Sequence, residues 1–313
     1  MTVAAILIGY AACVGTLGCR LLGRARWTAR APLLAIVTYL AAGWSVVAAL
    51  GLAGLTLAVH ATALGGGLSH LIGACVLRLR ETYGTPGGAT VAALGLTLAG
   101  AVAARTALTA MTHLRAAGQQ ALLHAQTARL VGRPEPSLGA VLVEHSRPVA
   151  YCVAGRHPTV ILSTGAVQAL QPAQLSAVLA HERAHLAGRH HRLLALARIG
   201  RLVLPFLPLL RDADAQVARL IEMHADDSAA RASDPRSLAT ALVVLATGTT
   251  PAPALAASAT DSVQRIHRLL RPAEPLGQAR RLLLRATAAS LALTPGLLAL
   301  APALLAVVLG RVA

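Results

Sequence analysis

Lysine is absent from the sequence: all 28 basic residues are arginine. That bias, beside abundant alanine and leucine, reads as the codon usage of a GC-rich, bacterial genome and carries no mechanism. Aromatic residues are nearly absent too, at 2%. Without them, and without a recognition motif, the net charge of +16 is no nucleic-acid footprint. Anionic lipid headgroups and membrane topology account for the arginines instead. Charge is scarce, 13% of residues against 56% hydrophobic, and a mean hydropathy of +0.63 excludes an ordinary soluble protein. Cysteine is rare as well. Cys13, Cys19 and Cys75 fall in apolar stretches and Cys152 alone in the polar part, with no CxxC pair and no disulfide framework. A reduced compartment for the polar part agrees with this.

The charges are missing in blocks. Val3 to Cys19 has none and is followed by Arg20, Arg24, Arg26 and Arg30. This predicts a first membrane helix over about 3–22 whose C-terminal end lies at the cytoplasm. A signal peptide would need a charged n-region, which is absent, and its arginines on the other side. Ala31 to Leu77 is a charge-free run of 47 residues interrupted by Gly65-Gly66-Gly67. One long tilted helix over 31–64 followed by an extracytoplasmic glycine-rich loop is the expectation, with a hairpin of two spans as the alternative. Residues 87–111 form the third span, with Arg105 near enough to its end to snorkel. The last occupies 285–313, its core Ala286 to Gly310, where Pro295, Gly296 and Pro302 are tolerable inside a packed bundle.

Residues 112–284 are more polar and sized for one domain. From Arg115 to Arg285, 20 arginines face 11 acidic residues, and Arg280, Arg281 and Arg285 directly precede the last span. The positive-inside rule then predicts a cytoplasmic domain and both termini outside. Gln119 to Gly132 reads as a helix stopped by Arg133-Pro134-Glu135-Pro136. Ala140–Val143, Val149–Val153 and Thr159–Leu162 read as strands of a small antiparallel sheet. The third strand precedes the most informative helix and is expected to offer an open edge to an extended peptide.

That helix carries His181-Glu182-Arg183-Ala184-His185. Pro172 suits its first position, and Leu175, Val178, Leu179 and Leu186 supply a buried stripe. Positions four apart share a helix face, so His181 and His185 present two imidazoles to one point, as a zinc ion requires. Glu182, at the edge of that face, can reach a water held there without binding the metal. Composition alone yields such a pentamer roughly 0.01 times in a chain of this kind, which is suggestive and not conclusive.

Catalytic zinc takes three protein ligands, so a third is needed. In the helical stretch Ala213 to Arg231, Glu222 is a candidate, and Asp226, one turn on, can hold the free ring nitrogen of a liganding histidine. His190, His191 and His224 compete with Glu222. The first two follow closely on the same helix, and His224 points off the Glu222/Asp226 face. The apolar stretch Leu193 to Leu210, with Arg198 and Arg201, reads either as a membrane-surface segment or as a core helix.

His181-Glu182-x-x-His185, Glu222-x-x-Ala225-Asp226, the strand ending in Ser163-Thr164-Gly165 and the downstream Ser262-Val263-Gln264-Arg265-Ile266 together resemble the membrane-embedded zinc metallopeptidases (gluzincins) of the HtpX heat-shock protease and BlaR/MecR antirepressor type. The resemblance implies a mainly α membrane protein of about four transmembrane helices with a cytoplasmic α+β zincin-like metallopeptidase domain. It implies one Zn²⁺ per chain on His181, His185 and Glu222, with Glu182 as general base, Asp226 behind the ligands and Arg265 as a structural contact. The implied partners are a protein or peptide substrate, a transcriptional repressor among the options, and the bilayer of a bacterial cell. A non-catalytic scaffold is the rival. The antirepressor sensors carry an extracytoplasmic drug-binding domain after their last span, whereas this sequence stops three residues after Gly310. A signal is therefore expected to enter through the membrane helices, the outer segment from Arg78 to Gly88, or a partner.

Overall fold

The computed structural model describes residues 1–58, 88–155, 157–247, 255–271 and 274–309. The chain runs through α1 (Thr2–Arg24), α2 (Pro32–Ala58) and α3 (Gly88–Val131) into four short strands: β1 (Arg133–Glu135), β2 (Ala140–Val143), β3 (Ala150–Val153) and β4 (Thr159–Ser163). There follow α4 (Thr164–Ala169), α5 (Pro172–Ala187), α6 (His190–Val203), α7 (Pro208–Ala232), α8 (Pro235–Thr247), α9 (Leu255–Leu270) and α10 (Gln278–Leu309). The expected glycine-rich loop at Gly65-Gly66-Gly67, the end of the second span near Leu64 and the outer segment up to Gly87 lie outside the described residues.

Four of these helices, Thr2–Arg24, Pro32–Ala58, Gly88–Val131 and Gln278–Pro302, are long and apolar enough to cross a membrane. α2 is the central one: 56% of its most apolar stretch is buried, against 22% or less in the others. It meets α3 through a repeated pentapeptide. Gly54-Leu55-Thr56-Leu57-Ala58 of α2 crosses Gly95-Leu96-Thr97-Leu98-Ala99 of α3, and a Cβ added at either glycine would fall 2.6 Å from the other's carbonyl oxygen. The backbones touch there, which is how small residues hold apolar helices together where lipid offers no hydrophobic drive.

α3 joins two expected elements, the third span and the helix over Gln119–Gly132. No proline interrupts residues 88–133, and the helix ends only at Gly132, where a Cβ would lie 2.6 Å from Ala128 O. At 1.5 Å per residue, 44 residues extend about 66 Å, twice the roughly 30 Å of hydrocarbon in a bilayer. The outer half, rich in arginine, histidine and glutamine, therefore continues beyond the apolar half and packs Ala121, Ala125 and Ala128 onto the sheet at Val153 and Ile161.

The sheet order is β1-β2-β4-β3, with β2 parallel to β4 and the outer pairs antiparallel. It is mixed, not antiparallel as expected. β4 is paired on both sides, so Thr159–Leu162 has no open edge; β3 folds back along it and takes the edge position. Ser163 ties the turn after β4: its hydroxyl donates to Arg147 O at 2.7 Å and accepts from Val149 N–H at 2.9 Å and Ala166 N–H at 3.0 Å. α5 lays Leu175, Val178 and Leu179 on Leu142, Val160 and Leu162 of the sheet.

Helices α6 and α7 form a hairpin whose tip enters the bundle of long apolar helices. Leu207 and Leu210 press against Gly15 and Gly43 of α1 and α2, and Ile199, Val203 and Leu204 share a buried cluster with Leu7, Val46 and Ala53. The stretch Leu193–Leu210 is thus packed on the span helices themselves. The guanidinium of Arg105 of α3 donates to Val203 O at 2.7 Å and Leu202 O at 2.9 Å, capping the last carbonyls of α6.

Gly95→Leu should wedge α2 from α3 and cost about 1–3 kcal/mol. Thermal unfolding in detergent is expected to drop by several degrees for Gly95→Leu and to stay unchanged for Gly100→Leu, since nothing lies within 4 Å of a Cβ at Gly100.

Candidate metal centre

The site is built from α5 outward. Gln174 Oε1 accepts the Gln171 N–H at 2.9 Å at the helix start, and the apolar stripe fixed on the sheet turns His181 and His185 toward α7. The helix stops at Gly188, one turn earlier than a single helix through His190 requires. Arg189 adopts a left-handed conformation (φ 49°), and α6 starts afresh at His190. Gly188 is needed there because a Cβ would collide with the His190 ring. The glycine was the legible signal for this break.

Three donor atoms converge. His181 Nε2 and His185 Nε2 are 3.1 Å apart, and the Glu222 carboxylate on α7 lies 3.6 Å from the first and 3.5 Å from the second. Tetrahedral zinc with bonds of about 2.0–2.1 Å separates its ligand atoms by about 3.3 Å, so this donor set fits the ion in both chemistry and spacing. Among the described residues it is the one group of three such side chains within that reach.

Each imidazole is backed on its other nitrogen. His181 Nδ1 stands 3.1 Å from Asp226 Oδ1, an ion-pair contact and not a straight hydrogen bond. His185 Nδ1 lies 3.0 Å from His190 Nδ1. With Nε2 of His185 free for a metal, its Nδ1–H donates to His190, which leaves the His190 proton on Nε2. That atom is buried without a hydrogen-bond partner among the described residues. Burial and the neighbouring His185 and His224 lower the His190 pKa to about 4, so the ring is neutral and able to accept. Of the competitors for third ligand, His190 sits behind His185, the ring of His224 lies 5.3 Å from that of His190, and His191 is exposed.

Asp226 is 1% exposed. Arg265 of α9 donates to both its oxygens at 2.8 Å and reaches Glu222 Oε2 at 3.0 Å, a two-carboxylate clamp that ties α9 to α7. Burial opposes ionisation of Asp226, but Arg265 and His181 prevail and hold its pKa at about 2. Burial likewise works against a charged His181, yet Asp226 and Glu222 raise it to about 9. His185 goes the other way, to about 4, chiefly by burial. Glu182 faces the sheet side: the Cys152 thiol of β3 approaches it, and burial raises its carboxyl above the usual range while burial and Glu182 push the thiol to about 12. His181, Glu182, His185, Glu222 and Asp226, all picked from sequence, are brought together. Arg265, expected as a structural contact, contacts Asp226 and Glu222; the backing by His190 and the nearness of Cys152 carry no such expectation.

A profile of peptidase family M48 matches residues 114–212, from the outer half of α3 to the first turn of α7. The match covers both histidines and Glu182 and supports a zinc metallopeptidase of that family. No curated protein and no solved structure matches the chain.

Without metal, His181 holds a proton up to about pH 9, and a ligand must give that proton up. Zinc affinity, measured by chelator competition, should therefore rise about tenfold per pH unit as pH approaches 9 and level off above it. In His181→Gln the affinity should be weak and that slope absent.

Proposed function

We propose that the chain is an integral-membrane zinc metalloendopeptidase that hydrolyses peptide bonds of a protein substrate at the cytoplasmic face of a bacterial cell membrane. The observation that carries this reading is the convergence of His181, His185 and Glu222 beside Glu182, next to the open edge of β3. His181, His185 and Glu222 hold the ion, one per chain. When bound, zinc polarises the scissile carbonyl and lowers the pKa of a water to about 7. Glu182 accepts a proton from the attacking water and returns it to the departing amine nitrogen, so water's hydroxyl ends on the new carboxyl and both protons are accounted for. Burial raises its pKa, which favours uptake of that proton. Asp226 and His190 orient the two imidazoles, and Arg265 holds Glu222 in line. The main-chain groups along β3 align an extended substrate.

The orientation rests on the arginines, and one contact supports it: Arg268 of α9 donates to Ala29 O in the turn between α1 and α2. That turn carries Arg26 and Arg30 and so shares a side of the membrane with the peptidase domain. Three spans before the domain and one after it satisfy this. A transcriptional repressor as the one substrate has no support in these observations.

Zinc content and hydrolysis separate the roles. Glu182→Gln should keep about one zinc per chain and lose proteolysis, whereas Glu222→Ala should lose most of the metal. Asp226→Asn, milder than alanine because Arg265 keeps a polar partner, should weaken zinc affinity or activity about 10- to 100-fold and recover in part at raised zinc. Proteolysis surviving in Glu182→Gln would remove the general base from this scheme. Reporter fusions after Arg30 and after Thr247 should both read as cytoplasmic, and an external signal from either would reverse the orientation.

A further inference from the structure

A cleft of about 1410 Å³ runs between the outer half of α3, the edge of β3 and the first turns of α6. It exceeds the roughly 300–1,000 Å³ of a small-molecule pocket and suits a length of extended chain. It adjoins the metal centre through Cys152, which lines the cleft and neighbours Glu182. Much of the wall is apolar, with Leu114, Leu122, Tyr151 and Leu196 exposed along it.

The charged lining has one sign. Arg129 of α3 and Arg192 of α6 stand across from one another's helices, His124, His157 and His191 line the cleft with them, and no carboxylate does. Elsewhere in the domain, Arg201, Arg211, Arg265 and Arg268 each meet an aspartate. Arg129 and Arg192 are exposed and have no ion pair among the described residues. Two unpaired guanidiniums over an apolar floor, beside a free strand edge, complement an extended segment that is apolar in the middle and acidic at its flank.

We infer that this cleft selects substrate segments with apolar residues laid along β3 and a carboxylate paired with Arg129 or Arg192. The inference rests on the peptidase reading and names its substrate class. The test uses the zinc-loaded full chain in neutral-lipid nanodiscs and fluorogenic peptides of one apolar sequence, with a single Glu, Gln or Lys placed at successive positions on either side of the centre. At one position or more, kcat/KM should fall in the order Glu, Gln, Lys, by about tenfold from first to last at low salt, and the spread should shrink as salt rises. In the Arg129→Gln/Arg192→Gln double variant the Glu-to-Lys ratio should approach one. Hydrolysis with no charge preference at any position, or a preference that survives in the double variant, overturns the inference and leaves the peptidase reading standing. Hydrolysis of none of the peptides sinks the peptidase reading itself, and this inference with it. No preference in the wild type, together with loss of binding to anionic vesicles in the double variant, would assign the two arginines to lipid headgroups and also overturn it.

Discussion

Everything in the site is registered against one buried carboxylate. Asp226 is enclosed almost completely, and a charge so placed persists only because Arg265 meets both of its oxygens and His181 its other side. Removing one partner of such a pair typically costs about 3–5 kcal/mol, because the other charge stays buried and unpaired. The same guanidinium reaches Glu222, so the docking of α9 on α7 and the aim of Glu222 at His181 and His185 are a single arrangement. One turn further, Arg268 meets Asp227 at 2.7 Å and the Ala29 carbonyl at 3.1 Å. An ionic seam thus runs from the candidate ligands to the turn between the first two long apolar helices.

The hairpin of α6 and α7 sets how far the site stands from the bundle. His190 opens one arm and Glu222 sits on the other, while the tip is wedged between α1 and α2 at Gly15 and Gly43. From Leu209 to Glu222 is 13 residues, or about 20 Å of helix. Arg201 and Asp214, 3.0 Å apart, bridge the arms part of the way up. Chemistry assigned to this site therefore happens within a short reach of the apolar bundle, on a support anchored in it.

What was legible from sequence was local. The spacing of His181 and His185, and of Glu222 and Asp226, is set by the helical repeat itself, so their shared faces needed no knowledge of the fold. β2 was read with its observed bounds, since a short apolar run flanked by glycine and polar residues stands out. Pairing was not legible: runs of four or five apolar residues carry no record of which neighbour they choose, and the edge was given to Thr159–Leu162 when it belongs to Ala150–Val153. α3 was cut in two because the change from apolar to polar composition near Thr112 marks a change of surroundings and not a helix end. His190 was read as the tail of α5 because Gly188 was passed over, and its place behind His185 depends on that break.

The unbroken course of α3 has a mechanical consequence. Its apolar half is fixed to α2 where the two Gly-Leu-Thr-Leu-Ala segments cross, and its far half is one wall of the cleft beside β3. A helix with no hinge behaves as a lever about that crossing. Residues 95–131 extend about 54 Å from the crossing, so a change of tilt of about 5° would carry the far end nearly 5 Å. In the membrane setting proposed above, tilt at the crossing is carried without a hinge to the α3 wall of the cleft.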